Sequence, residues 1–339
     1  MYMTKDKFLK QDIKRKHHYL PKVYSKQWKD NRGILNINLN GEIIKCKPEN
    51  AFLEKDLNRL DFITATQIST IKELYKSFLY SEFGKSTLNF IDELHETSRI
   101  LENLSREELN IYIVKNDLSY IFALSEIKLE SHDLDYINKI KQILLSNLIE
   151  DVFSDVETNY GEFIEALSQQ DNSILKKYIQ YLLLFSTLQK FRSPNFLNQK
   201  RNELNEILQT KENDVKNCLI LSVYIEHKRF LLELSKYYIC IDLVSNVSGE
   251  YFLTSDSPFV SCDNEIRNKL EIDDCDYFFP ISPIYLAVIC KGQKRDKNTK
   301  NTRLSFGEIN NKMVIQEINS LISRSCQNLI FYNVKEKQK

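Results

Sequence analysis

The chain has 339 residues, a length that suggests about two domains and still allows one large one. Its 47 Lys and Arg balance 47 Asp and Glu, which argues against coating of nucleic acid or of a membrane by bulk charge, and at 42% hydrophobic it carries too much apolar material for a disordered chain. Only 7 residues are glycine, about 2% against a usual ~7%, so glycine-rich phosphate loops, Rossmann crossovers and barrels with many tight turns are poorly supplied.

Met1 to Lys10 is polar and basic, without an apolar core of signal-peptide length, and no run approaches the ~18 consecutive apolar residues of a membrane span. A cytoplasmic protein that does not insert in a membrane is therefore expected. Seven cysteines (Cys46, Cys218, Cys240, Cys262, Cys275, Cys290 and Cys326) form an odd set with no Cys-x-x-Cys pair. Zinc fingers and a disulfide framework lose their usual pattern, and cysteines in apolar settings such as YYICIDL and LAVIC read as small core residues.

In chain order, Leu35 to Leu39 alternates strictly, Asn40-Gly41 is a two-residue hairpin signal and Ile43-Ile44 begins the return, which predicts a β-hairpin at about 34–46. From about 66 to 237 helical spacing dominates, as in Ile68, Ile71, Leu74, Tyr75, Phe78 and in Ile137, Ile140, Leu144, Leu148. Pro194 punctuates this region and predicts a helix end near Arg192, because a residue before proline is pushed out of the α region. Beyond 237 the pattern turns strand-like: Tyr238–Leu243, Glu250–Thr254 and Ile284–Ile289, then a helix over 310–325 and a closing strand from Asn328 to Val334. With no repeat and no Pro/Gly/Ser-rich linker, the expectation is one compact α+β domain over 1–339. It would comprise an N-terminal segment at 14–48, a helical region at 66–237 and a β-rich region at 238–335 whose strands are mostly antiparallel.

Charge is clustered although its sum is zero. Lys5 to Arg32 holds ten Lys or Arg against three Asp, Lys291 to Arg303 six against one, and Glu150 to Asp171 has seven acids and no Lys or Arg. Solvated faces account for such runs, and the two basic ones would also suit an RNA or DNA backbone.

Four short segments carry residues fit for chemistry. His17-His18-Tyr19-Leu20-Pro21 uses two of five histidines, the side chain best suited to proton transfer near neutral pH. In an extended segment His17 and Tyr19 would face one way and His18 and Leu20 the other, so one histidine at most would point into a given pocket. A solvent-exposed basic strand start is the plain alternative. Gln189 and Arg192, three apart, continue the apolar line of Leu182 and Phe185, and a buried guanidinium calls for a carboxylate or phosphate partner. A structural ion pair or an arginine reaching to water at the helix end fits equally. Thr254-Ser255-Asp256-Ser257-Pro258 ends a strand in a polar turn, a common place for working side chains and for turns that satisfy their own backbone. Phe279-Pro280-Ile281-Ser282-Pro283 leads toward the next strand. Glu157 is a weaker acidic candidate, His227 reads as a core histidine, and His95 and His132 receive no role.

Together HHYLPKVYSKQW, FSTLQKFRSPNF, FLTSDSPFV and FPISP resemble the uncharacterised bacterial DUF4238 family over about residues 14–334. The chain departs from it at Ser25 and Trp28, where members more often carry leucine and phenylalanine. The resemblance implies a setting in anti-phage defence and no particular reaction. From the residues, the leading expectation is a nuclease or phosphodiesterase, RNA slightly preferred. His17 or His18 would be the acid or base, Arg192 the phosphate clamp, and Tyr19, Gln189 and Ser255 substrate contacts. Asp256 would orient the imidazole or, with Glu157, hold a divalent cation such as Mg or Mn. The alternatives are a non-enzymatic sensor recognising a phage-encoded trigger, with Arg192 and Asp256 as an internal salt bridge, and a hydrolase of a nucleotide or other small molecule. No Gly-x-Ser-x-Gly, Walker A or His-Glu-x-x-His pattern is present.

Overall fold

The computed structural model of the chain describes residues 16–39, 41–55, 57–105, 107–109, 134–146, 148–209, 212–262, 267, 275–294 and 302–331. The N-terminal part runs β1 (Lys16–His18), α1 (Lys22–Ser25), the hairpin β2 (Leu35–Leu39) and β3 (Glu42–Cys46), and β4 (Leu53–Lys55). Helices follow: α2 (Ala65–Leu74), α3 (Lys76–Leu79), α4 (Lys85–Asn103), α5 (Leu134–Ser146), α6 (Leu148–Gln169), α7 (Asn172–Arg192), α8 (Pro194–Leu208) and α9 (Glu212–Ser235). The last part comprises β5 (Tyr237–Asn246), β6 (Thr254–Ser255), β7 (Val260–Ser261), β8 (Tyr277–Ser282), β9 (Tyr285–Lys294), β10 (Arg303–Ile309), α10 (Lys312–Arg324) and β11 (Asn328–Phe331). The fold is α+β, as the sequence predicts. No described helix is long and apolar enough to cross a membrane.

The chain divides into two compact units, Met1–His17 with Lys55–Phe153 and Glu203–Ser222, and His18–Glu54 with Ser154–Asn202 and Val223–Lys339. No composition change marks the borders because they fall inside continuous helices such as α6, α8 and α9.

The first unit is helical. Its α2 begins with a capping box, in which Thr64 Oγ1 accepts from the Gln67 N–H and the Gln67 side chain accepts from the Thr64 N–H. Asn217 fixes the approach to that helix, accepting from the Asp61 N–H at 3.0 Å and donating to the Phe62 carbonyl and Gln67 Oε1 at 3.2 Å each. Lys141 is buried with its Nζ on the Glu102 and Leu104 carbonyls, where the end of α4 leaves acceptors without helical partners.

The second unit carries two sheets. One, in the order β3-β2-β11-β6, is antiparallel throughout and joins the N-terminal hairpin to the closing strand. Gly41, at φ +94°, supplies the left-handed turn of the hairpin. The other, β10-β5-β9-β8-β7, is antiparallel except for the β10–β5 pair. Alternate residues of β5 and β9 enter two different cores: Ile239, Ile241, Leu243, Ala287 and Ile289 on one face, and Val244, Leu286, Val288 and Cys290 with α10 on the other. Covered on both faces, β9 is a continuous apolar run rather than an alternating one. The C-terminal half of α7 is buried on nearly every side, through Leu182, Phe185, Thr187, Leu188 and Phe191 among others, whereas its first half exposes Lys176, Lys177 and Gln180, so the whole helix shows no single apolar stripe.

Two expectations change. The strand expected at Glu250–Thr254 shrinks to Thr254–Ser255, because the Phe252 N–H goes to the Pro283 carbonyl and the Leu253 N–H to Asn319 Oδ1 instead of to a ladder. FPISP lies within β8 instead of ahead of a strand. Pro280 is tolerated there because β7 pairs only with Tyr277 and Phe278, and the pairing with β9 shifts register next to it. Of the closing strand, residues 332–334 lie outside the described residues.

Candidate functional site

All four motif segments meet at Tyr24, which itself lies in the first of them, all within the second unit. Tyr24 follows Leu20 and precedes Trp28 at four-residue intervals, and all three side chains are fully buried. Its hydroxyl donates to the Pro280 carbonyl at 2.7 Å and is itself hydrogen-bonded to Thr254 Oγ1. Its ring packs against Trp28, Tyr160, Phe185 and Phe279, while Tyr160 stacks on Phe185 at 3.8 Å. The signal for Tyr24 was present in the sequence as the spacing Leu20, Tyr24, Trp28, but an aromatic in such a line announces core and nothing more specific. With burial leading, its hydroxyl is held far from ionisation.

The end of α7 supplies the charged centre. Ser193 must be extended because Pro194 follows, so Arg192 occupies the last helical position, where the helix carbonyls favour a cation. Arg192 is 2% exposed; its Nη1 donates to Glu157 Oε1 at 2.7 Å and its Nη2 to the main-chain carbonyl of His18. The expected carboxylate partner of the buried guanidinium is thus Glu157, from α6. One turn back, Gln189 is 1% exposed with both amide atoms lacking a hydrogen-bond partner, at a cost of about 1–3 kcal/mol.

Asp256, 1% exposed, sits just beyond β6. Its Oδ1 accepts from the Gln327 N–H at 3.1 Å, and its Oδ2 from the Asn328 N–H at 2.9 Å and Asn328 Nδ2 at 2.7 Å. Burial nevertheless outweighs these donors and raises its pKa. The same 325–328 stretch binds the turn after Arg192: Asn195 Nδ2 donates to the Ser325 carbonyl at 2.9 Å, and Gln327 Nε2 to Asn195 Oδ1 at 3.1 Å. Tyr19, half-buried, packs edge-on against Phe52 at 5.8 Å. Its hydroxyl is pushed up to about 12, first by burial and then by the charges of Asp256 and Glu54. Cys326 is pushed up to about 11 by burial and Asp256, with the Ser255 hydroxyl acting in the opposite direction.

The fold therefore gathers His18, Tyr19, Glu157, Arg192, Ser255 and Asp256 within one unit. Arg192 and Asp256 do not form the salt bridge expected for a sensor, since each is satisfied elsewhere. His17 belongs to the first unit, buried, with Nδ1 accepting from the Asn58 N–H at 3.1 Å. The strict alternation expected beyond it fails because β1 stops at His18 and the chain bends into α1, leaving Tyr19 half-exposed and Leu20 fully buried. Glu157 and Asp256, the pair considered for Mg or Mn, spend oxygens on Arg192 and on the 327–328 donors. Among the described residues no group of three or more His, Cys, Asp or Glu is arranged to hold a metal. His227 is a core histidine, with Nε2 3.1 Å from Thr187 Oγ1. Much of both basic runs, residues 5–15 and 295–301, lies outside the described residues, as does His132.

Compared with known families, residues 16–336 match the family model described as protein of unknown function, DUF4238. No curated protein and no solved structure matches the chain.

Proposed function

The chain belongs to the DUF4238 family, and on that premise we propose that it is an anti-phage defence protein acting in the cytoplasm by cleaving phosphodiester bonds, with RNA the favoured substrate. One observation supports this reading above the others: the guanidinium paired with Glu157 also holds the His18 carbonyl, which fixes the main chain of the histidine segment next to Tyr19, whose hydroxyl feels the charge of Asp256. In this reading His18 transfers the proton, and Tyr19 contacts the substrate. Arg192 and Asp256 act as positioning residues, because both are buried and engaged by protein groups. Proton transfer through His18 is better supported than a cation on Glu157 and Asp256, whose oxygens already serve protein donors.

The burial of Arg192 and Asp256 also favours a second reading, a binding protein that recognises a phage-encoded trigger. Induction in cells followed by sizing of tRNA, rRNA and DNA separates the two, with His18→Ala and Tyr19→Phe alongside the unaltered chain. Cleaved RNA that becomes intact in His18→Ala, with folding unchanged, supports the nuclease. Phage protection that survives both substitutions while every nucleic acid stays whole removes it and leaves the binding protein.

A further inference from the structure

A pocket of about 620 Å³ opens in the second unit, away from the residues assigned above. Its size falls in the range of small-molecule sites, about 300–1,000 Å³. Leu167, Ile281 and Pro283 are buried beneath it, and Ile164, Tyr251 and Tyr285 are half-buried around them. The wall at the turn between β8 and β9 is held in shape by Ser282 Oγ, which accepts from the Ile284 and Tyr285 N–H groups at 3.3 and 3.1 Å. Beside that turn, Ile284 leaves 45% of its surface exposed, an apolar side chain the core does not use.

The charge of the pocket is one-sided. Lys26 and Lys29 are exposed on its rim, and no lining residue is acidic. The acid-rich helix α6 contributes only Ile164, Leu167 and Ser168 to the lining. Glu49, which Lys26 influences, forms its ion pair with Lys22 at 2.9 Å. Two cations beside apolar and aromatic walls, with no carboxylate among them, attract a molecule that is flat and apolar at one end and anionic at the other.

We propose that this pocket binds a small anion carrying a flat ring system, the ring between Tyr251, Tyr285 and Pro283 and the anionic group at Lys26 and Lys29. Both a nucleoside monophosphate and an aryl acid have this chemistry. The site shares no residue with the His18–Asp256 cluster and does not depend on the nuclease reading. The test titrates the full chain with 1-anilinonaphthalene-8-sulfonate, followed by its fluorescence, and with the uncharged N-phenyl-1-naphthylamine. A K26E/K29E double variant and an Ile284→Asp variant are compared, with Trp28 fluorescence reporting that the fold is kept. Saturable binding at one site per chain is expected, weakened at least about tenfold by K26E/K29E for the sulfonate but not for the neutral probe, and weakened for both probes by Ile284→Asp. Displacement of the sulfonate by AMP assigns the site to nucleotides, and failure of AMP to displace it assigns the site to aryl acids. Equal affinity of the native chain and K26E/K29E for the sulfonate, or binding at many sites, overturns the proposal.

Discussion

Arg192→Ala tests whether the guanidinium is a structural clasp between Glu157 and the His18 segment or a group held ready for phosphate. The side chain of Arg192 is 3% exposed and that of Glu157 27%, so the pair lies toward the buried limit. Removing one partner of a fully buried pair costs about 3–5 kcal/mol and of an exposed one at most about 1. Allowing for the partial exposure of Glu157, and for the lost charge-assisted bond to the His18 carbonyl, the expected loss is about 3 kcal/mol. Trp28 is the only tryptophan, fully buried and 4.8 Å from Tyr24, so its fluorescence reports unfolding of this unit in urea. With a slope of about 1–3 kcal/mol/M, the midpoint should fall by about 1–3 M. Glu157→Gln should cost less, since its amide oxygen still accepts from Arg192, and the double variant should recover about 1 kcal/mol relative to the sum. An Arg192→Ala chain within about 0.5 kcal/mol of the native one, or strictly additive losses, would refute the clasp and return Arg192 to the role of a phosphate ligand.

Other outcomes follow from the same cluster. Asp256→Ala should destabilise the second unit by about 2–4 kcal/mol by leaving the Gln327 and Asn328 donors unpaired, whereas Asp256→Asn, which keeps an acceptor, should cost clearly less in the same urea titration. Asp256→Asn should also lower the Tyr19 hydroxyl from about 12, read by ultraviolet difference titration, and speed alkylation of Cys326 severalfold, read by peptide mass spectrometry. An unchanged Cys326 rate would contradict the electrostatic link. His227 is lowered from 6.5 to about 4, by burial first and then by Lys228, so its neutral form is the folded one. The stability this confers is complete above about pH 6.5 and is lost as pH falls through 4, about 3 kcal/mol in all. His227→Gln should flatten that portion of the stability–pH curve, and an unaltered acid limb would show that another group sets it.

Membership of the family was legible in the sequence, but the division of labour among the candidate residues was not. HHYLP offers two adjacent histidines. The border between the two units falls between them, inside β1, where no local pattern marks it. Likewise, Glu157 looked like one acid among several on a solvated helix, and nothing local distinguishes it from Glu162 or Glu165. Its meeting with Arg192, 35 residues away in sequence, is a tertiary event. FPISP was expected only to lead into the next strand; Pro280 is held within β8 because β7 pairs no further than Phe278 and the pairing with β9 shifts register beside it.

Local chemistry alone settled the hairpin at Asn40-Gly41, the stop of α7 at Arg192 before Ser193-Pro194, and the helix leading to the last strand. Each depends on steric preferences and apolar spacing within a few residues. Long-range packing decided the rest: the division of the chain into two units, the sharing of β11 between the N-terminal hairpin and β6, and the burial of Arg192 and Asp256. A charged side chain is written identically in sequence whether water or protein surrounds it. Only the folded chain fixes which partners compensate its desolvation, and with that whether it clasps the structure or faces a ligand.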